Sequence, residues 1–408
     1  MNILVLSPEI PYPPIGGHYL RTYNILKLLS EKHKIFFLGF ARDKDELEFK
    51  KEFQRICESF DVYFIQENDF SLRFWLKIIM NLFSPYPYVN YKYFNKTASK
   101  RIKEIFSEVE IDLVHLDMLP MATYYSNLNS VPRILTNHNV ESLRLYRWMK
   151  IEKKTIIKIF LAYQYLKLRN YEKKMCSRCD KCITVSPNDE KVLRELCKTD
   201  NFAVIPNGVD IEYFKPNEDV PVAQNRLVWV GGMGGPYNSD AVDYFLDEIL
   251  PLVMIKIPEV EVDFVGWGAT KKLKQRVLEN SRIKAYGFVD DIRPYVHQAS
   301  VFIAPLRIGS GTKIKVLNAM ALGKAVVTTS IGAEGINAKP DKDIMIADTS
   351  QEFAQKTVYL LRHPEEAKIM GKNGSEVIEK HYSWESIGEK MHQLYEEEYK
   401  KSKTTNKS

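Results

Sequence analysis

The chain opens on the pattern of a buried strand. Residues 3–6 are uninterrupted aliphatics, a loop bearing Pro8, Pro11, Pro13 and Pro14 follows, and after Gly16-Gly17 the apolar positions Ile25, Leu26 and Leu29 fall on one helical face. A second apolar run at 34–39 completes a strand–loop–helix–strand unit. The alternation recurs, with strands expected at 61–65, 112–116, 133–137 and 181–186. Short aliphatic runs separated by helical stretches predict a parallel sheet with helices on both faces.

A turn-forming IPNGVD at 205–210 and a polar, proline-containing stretch to about 225 then break the rhythm as a linker would. The rhythm restarts with strands expected at 226–232, 262–266, 283–288, 301–305 and 325–329, and helices expected from Ser239 and Thr312. The expected organisation is α/β throughout. One doubly wound, Rossmann-like domain covers 1–205, a second covers 206–380, and 381–408 forms a charged amphipathic helix (384–399) with a frayed basic tail. Ligands of open parallel sheets bind beyond the carboxyl ends of the strands, so two such domains facing each other place the site in the cleft between them.

Composition narrows the class without naming it. At 408 residues with 45% apolar and 27% charged positions, the chain can build two or three cores and is neither disordered nor fibrous. Fifty-eight Lys and Arg against 52 Asp and Glu leave +6, too diffuse to point to nucleic acid. The N-terminal MNILVLSPE lacks the basic region and cleavage site of a secretory signal. The most apolar later stretch, 74–89, is interrupted by Lys77, Asn81, Pro85 and Pro87, too soon to span a bilayer. A cytoplasmic protein is expected, and five cysteines, few and odd in number, agree with a reducing compartment. Three of them form CSRCDKC (Cys176, Cys179, Cys182). With no fourth ligand nearby and a helix-to-strand setting, they read as packing positions rather than a metal site.

The strongest chemical signal is the segment 304–329, APLRIGSGTKIKVLNAMALGKAVVTT, a strand, a glycine-rich loop, a helix and a strand. Gly309 and Gly311 permit close approach of a ligand to the backbone, and amides at the start of the Thr312 helix form an anion cradle. Lys313 and Lys315 stand where the helix macrodipole disfavours cations, a conflict that a bound anion resolves. With Arg307 they offer three positive charges, enough for a diphosphate. A weaker loop, VGGMGGPYNSDA at 230–241, matches neither dinucleotide nor P-loop spacing. Its Gly231 and Gly232 could let a substrate lie on the strand end, with Asn238 or Ser239 capping the helix. In the first half, Gly16 and Gly17 open a helix directly after the first strand, and His138 lies just past the carboxyl end of the 133–137 strand, where it could orient a hydroxyl or share charge. The acidic pairs Asp341-x-Asp343 and Asp290-Asp291 read as turn and cap chemistry. No catalytic metal and no cofactor are expected.

Taken together, PPIGGHYLR, TNHNVES, ITVS, IPNGVD, YGFVDDIRPYV, the 304–329 segment and HYSWESIG resemble the GT-B glycosyltransferases of the large retaining family 4, over nearly the whole chain. The resemblance implies transfer of a sugar from a nucleotide diphosphate donor, UDP- or GDP-linked, with retention and without metal, the donor lying mainly on the second domain and the acceptor on the first. It implies that Gly16-Gly17 meet the donor phosphate or reacting sugar, that His138 contacts the transferred sugar, that backbone around Gly287 to Val289 meets the base, and that the last helix crosses back to the first domain. Two family glutamates are replaced by Ser310 and Asn318, and the family's Arg and Lys in the 230–241 loop are absent. Asn318 can still hydrogen-bond a ribose, since an amide both donates and accepts. Phosphate charge then falls to Arg307, Lys313 and Lys315.

Between Arg144 and Lys174, ten Lys or Arg face two Glu, interleaved with Trp148, Phe160, Tyr163 and Tyr165. Beside the apolar 70–89 stretch, this predicts association with an anionic membrane surface, on its inner face, and a lipid-linked or polysaccharide acceptor in cell-surface glycan synthesis. The alternatives are a catalytically silent GT-B subunit partnering an active enzyme, and a nucleotide-sugar epimerase, for which acid and base carboxylates are not evident.

Overall fold

The computed structural model describes residues 1–14, 17–42, 50–65, 72–128, 131–309 and 311–405. Two compact units account for the chain, Met1–Pro206 with Glu385–Ser408, and Asn207–Trp384. The units change over one residue after the expected 205 and four after the expected 380. The second shift follows from Trp384, whose indole occupies the space a Cβ at Gly208 would need.

In the first unit seven strands form one wholly parallel sheet: β1 (Asn2–Leu6), β2 (Lys34–Ala41), β3 (Ser59–Phe64), β4 (Leu113–Asp117), β5 (Arg133–Asn137), β6 (Lys181–Thr184) and β7 (Phe202–Val204), in the order β3-β2-β1-β4-β5-β6-β7. The second unit holds a six-stranded parallel sheet of β8 (Arg226–Val230), β9 (Glu261–Val265), β10 (Ile283–Gly287), β11 (Val301–Ala304), β12 (Val326–Thr328) and β13 (Met345–Ile346), in the order β10-β9-β8-β11-β12-β13. The doubly wound expectation holds for both halves. Central strands are buried on both faces, as in Ile3, Leu4, Val5 and Leu6, because helices cover both sides of each sheet.

Strand order locates the places where ligands bind. In each sheet the winding reverses once, between β1 and β4 in the first and between β8 and β11 in the second, and the loops leaving those strand ends diverge into a crevice.

Several local expectations shift. The helix expected from Thr312 runs Ile314–Ala321 with Lys313 as its extended N-cap. The helix expected from Ser239 begins at Pro236 behind Gly235, so Asn238 lies in the first turn instead of capping. Ile292 stands at the N-cap position of the helix Arg293–Gln298, and the Asp291 carboxylate one residue earlier accepts from the Arg293 backbone amide at 2.9 Å while pairing with the Arg293 guanidinium. The last helix extends over Trp384–Thr405, so most of the expected frayed tail is helical. No described helix is long and apolar enough to cross a membrane.

Candidate functional site

In the second unit the loop after β11 carries the glycine-rich segment. Gly309 (φ 144°) and Gly311 (φ 73°) both adopt backbone that a side chain resists, which makes their glycine identity structural. Ser310 lies outside the described residues. Lys313 at the N-cap reaches back to the Gly311 carbonyl at 2.5 Å and lies 3.9 Å from the Glu334 carboxylate. Lys315, one position into the helix proper, is half-buried over the Trp229 indole at 4.0 Å and donates to Asn238 Oδ1 at 2.9 Å. Among the described residues no carboxylate pairs with it. Burial first, and then the Lys313 charge, push its ammonium down to about 7. Two lysine ammoniums, one of them desolvated, thus stand at the mouth of a glycine loop.

Gly231, at the end of β8, has φ 141°, and a Cβ there would come within 2.7 Å of Lys315 Nζ, so this glycine makes room for that lysine. Gly232 makes room instead for the Trp267 indole, 2.7 Å from the corresponding Cβ position. Asn238 holds the assembly together by donating to the Gly232 carbonyl while accepting from Lys315. Asn318, on the same helix as Lys315, is buried, and its side-chain oxygen has no hydrogen-bond partner among the described residues. Thr312 is buried, and its carbonyl accepts from Asn207 at 3.1 Å. Val289, half-buried beyond β10, packs against the core after Gly287 turns with φ 71°.

Arg307 is placed differently from the expected three-cation cradle. Its guanidinium makes a two-pronged pair with Asp240 (2.6 and 3.0 Å), lies 3.9 Å from Glu248 and covers the Tyr244 ring at 4.2 Å. Its charge is thus balanced within the protein, and the cradle rests on Lys313 and Lys315.

In the first unit, Asp117 ends β4 and His138 follows β5, and the two meet at 2.6 Å, both buried. Ser7 and Thr22 donate their hydroxyls to the other Asp117 oxygen at 3.2 and 2.7 Å, tying β1 and the helix Gly17–Ser30 to β4 across the winding reversal. Burial alone would raise the Asp117 carboxyl, yet His138, His115 and Thr22 hold it well below the usual carboxylate range. Burial pulls His138 down despite its acidic neighbour. The pair therefore rests as carboxylate and neutral imidazole, with the Nε2 proton donated to Asp117. Edge-on to His138, the His18 ring lies 6.5 Å away and meets Glu9 at 2.6 Å. Burial would raise the Glu9 carboxyl, but His18, Tyr19 and Arg42 take it down to about 2. Gly17 opens the adjoining helix, and Gly16 lies outside the described residues. Asp117, Glu9, His18, Trp229 and Asn238 were not anticipated from sequence as parts of a site. The available signal was an acid closing an apolar strand, as in VHLD.

Two cysteine-rich and histidine-rich groups lie elsewhere. Cys197, which the spacing did not connect to CSRCDKC, packs with Cys176, Cys179 and Cys182 in the first core. Among the described residues no three of these sulfurs converge as metal ligands would. His33, His392 and Glu396 do converge, with the two rings hydrogen-bonded at 2.9 Å.

Comparison with known proteins adds the following. The family described as "Glycosyl transferases group 1" matches residues 224–363, and "Glycosyltransferase Family 4" matches 15–213. An uncharacterised protein from the cps region of Klebsiella pneumoniae is 22% identical, over 95% of this chain and 97% of its own. One component of the human phosphatidylinositol N-acetylglucosaminyltransferase is 20% identical, over 97% of this chain and 76% of its own. Among solved structures, sucrose-phosphate synthase from Thermosynechococcus elongatus superposes with TM-score 0.74 at 17% identity, covering 97% of this chain and 98% of that one. HepE of Anabaena in complex with UDP superposes with TM-score 0.64 at 15% identity, covering 97% and 100%.

Proposed function

We propose, from the matches of residues 15–213 and 224–363 to the family 4 and group 1 glycosyltransferases and from the GT-B fold, that the chain is a retaining, metal-independent enzyme that moves a sugar from a UDP- or GDP-sugar to a lipid-linked or polysaccharide acceptor in cell-surface glycan synthesis. The observation that carries the donor half of this reading is the buried Lys315 ammonium, without a carboxylate partner among the described residues, beside the Gly309–Gly311 loop. A diphosphate there meets the Lys313 and Lys315 charges. These two cations take the neutralising part that a divalent ion plays in other nucleotide-sugar enzymes. The unpartnered Asn318 oxygen accepts from a ribose hydroxyl, and the backbone near Val289 meets the base. UDP bound to the HepE structure supports a nucleotide donor.

On the acceptor half, His138 contacts the transferred sugar, and the Gly16-Gly17 pair is assigned to the donor phosphate or reacting sugar. Asp117 acts as a positioning residue, since an ionised carboxylate fixes the imidazole's tautomer and steadies positive charge as it develops. The human relative's name includes phosphatidylinositol, which supports a lipid-linked acceptor. We assign the reaction to the cytoplasm, at the inner membrane face. Asn318 in place of the family glutamate favours a second reading, a silent GT-B chain stabilising an active partner. Slow hydrolysis of a donor sugar by the isolated chain eliminates it.

Thermal-shift titration with UDP, GDP and ADP, with and without EDTA, tests the proposal. At 100 times its dissociation constant a ligand stabilises by about 2.7 kcal/mol. One nucleotide should stabilise selectively, EDTA should change nothing, and Lys315→Met should weaken the shift. Absence of any shift removes the donor site.

A further inference from the structure

The helix Leu72–Leu82 is inside out. Its apolar positions Trp75 (54% exposed), Leu76, Ile79 and Met80 face solvent, Phe83 just beyond it is 87% exposed, and the polar Asn81 is the buried one. Asn81 is held there by Gln164, which donates to its side chain at 3.0 Å, and by the Lys167 ammonium on its carbonyl. A globular helix does the reverse.

The helix Thr155–Arg178 explains how the surface continues. One of its stripes, Leu161, Gln164, Leu168, Tyr171 and Met175, enters the first core. A second stripe at helical spacing, Ile156 (84% exposed), Ile159 (66%), Tyr163 and Leu166, is outward. The Tyr163 hydroxyl donates to the Leu82 carbonyl, so the two exposed stripes meet. Soluble surfaces scatter single apolar side chains; two whole helix faces amount to a binding surface.

Charge identifies the occupant. The flanks carry exposed Lys150, Lys153, Lys154, Lys158, Arg169, Lys173 and Lys174. Of the two glutamates between Arg144 and Lys174, Glu172 is fully buried, accepting from Glu141 and Ser142 backbone amides, so within that stretch only Glu152 is left at the surface. A second copy docking through the same face would set one cationic rim against another. An anionic bilayer satisfies both features, with apolar side chains among acyl chains, lysines at the phosphates and the Trp75 and Tyr163 rings at the boundary.

We propose that the joined exposed faces of Leu72–Leu82 and Thr155–Arg178 form a docking surface for an anionic lipid bilayer, with the first helix lying in the plane of the interface. The proposal rests on the lipid-linked-acceptor reading for its purpose only; the surface stands on its own chemistry.

Sedimentation of the full chain with vesicles of phosphatidylcholine containing phosphatidylglycerol, against pure phosphatidylcholine, tests it. Binding should require phosphatidylglycerol and weaken as salt rises. Trp75→Ser/Ile79→Ser/Phe83→Ser and, separately, Lys153→Glu/Lys154→Glu/Lys158→Glu should each lower partitioning by about tenfold or more. These side chains are exposed, so folding should survive, and circular dichroism with nucleotide-induced thermal shift checks it. No sedimentation with either vesicle, or equal sedimentation of the variants, overturns the proposal. So does a doubled mass in solution that the apolar triple variant returns to that of the monomer. An intact nucleotide shift alongside failed sedimentation sinks the docking surface while leaving the transferase reading in place; the opposite pattern does the converse.

Discussion

A buried ammonium without a counter-ion among the described residues makes Lys315 the residue on which the donor half turns, and its proton is the quantity to follow. In the free protein the group titrates at about 7, against about 10.4 for an exposed lysine. A diphosphate favours the charged form, so binding above pH 7 must take up a proton. Affinity for UDP should therefore be highest below pH 7 and fall by up to about tenfold per pH unit between 7 and 9. Lys315→Met should flatten that slope, and calorimetry in buffers of different ionisation enthalpy should show proton uptake at pH 8 by the wild type alone. Proton-independent binding would mean that the diphosphate does not touch this side chain. The lysine was visible in GSGTKIKV as a cation at a helix start, but its desolvation was not, because burial is supplied by Trp229 on a strand over eighty residues earlier. Arg307 shows the same limit in reverse: Asp240, which neutralises it, comes from the helix Pro236–Tyr244. Asp117 and His138 are likewise joined only by the pairing of β4 with β5.

At the scale of elements, two of the four glycines in the connection from β8 to the helix Pro236–Tyr244 look alike in sequence and differ in consequence. A methyl at Gly231 meets Lys315 Nζ at 2.7 Å and forces an unfavourable φ, whereas one at Gly235 (φ −93°) meets nothing within 4 Å. Gly231→Ala should cost about 1–3 kcal/mol of stability and most of the UDP-induced shift, and Gly235→Ala should be nearly silent in both, as read by thermal denaturation with and without nucleotide. Equal effects would place the strain elsewhere. Element type was largely legible because buried parallel strands are continuous apolar runs bounded by polar loops, as in RLVWV and VFIA. The strand that escaped, β7, has three residues, too few to show a period. Helix starts slipped by two or three positions where glycine and proline allow the chain to enter the helix without a side-chain cap, as at Gly235-Pro236.

Across the whole molecule, the first unit is completed by a segment distant in sequence. Ile387, Met391 and Tyr395 of the last helix are fully buried in it, and the Tyr395 hydroxyl meets His115 at 2.8 Å, while His115 in turn meets Thr136. Burial keeps that histidine neutral, down to about 4. Ending the chain at Trp384 should lower the first unit's stability by several kcal/mol, about 2–4 for each large apolar side chain lost, and leave the second unit's unfolding unchanged; two resolved calorimetric transitions would report this. The doubling of the α/β pattern was readable from end to end, since 205–225 breaks it once and it resumes with the same rhythm. What the pattern could not convey is which core the last helix serves, because an amphipathic stripe fits any complementary face.

That discontinuity also orders events during synthesis. The first half leaves the ribosome before the second, yet it waits, missing one wall of its core, until residues 385–405 have been translated. The second unit, continuous from Asn207 to Trp384, has all its parts earlier. The nascent chain can thus mature from its middle outward, and the sheet that emerges first is the last to be completed.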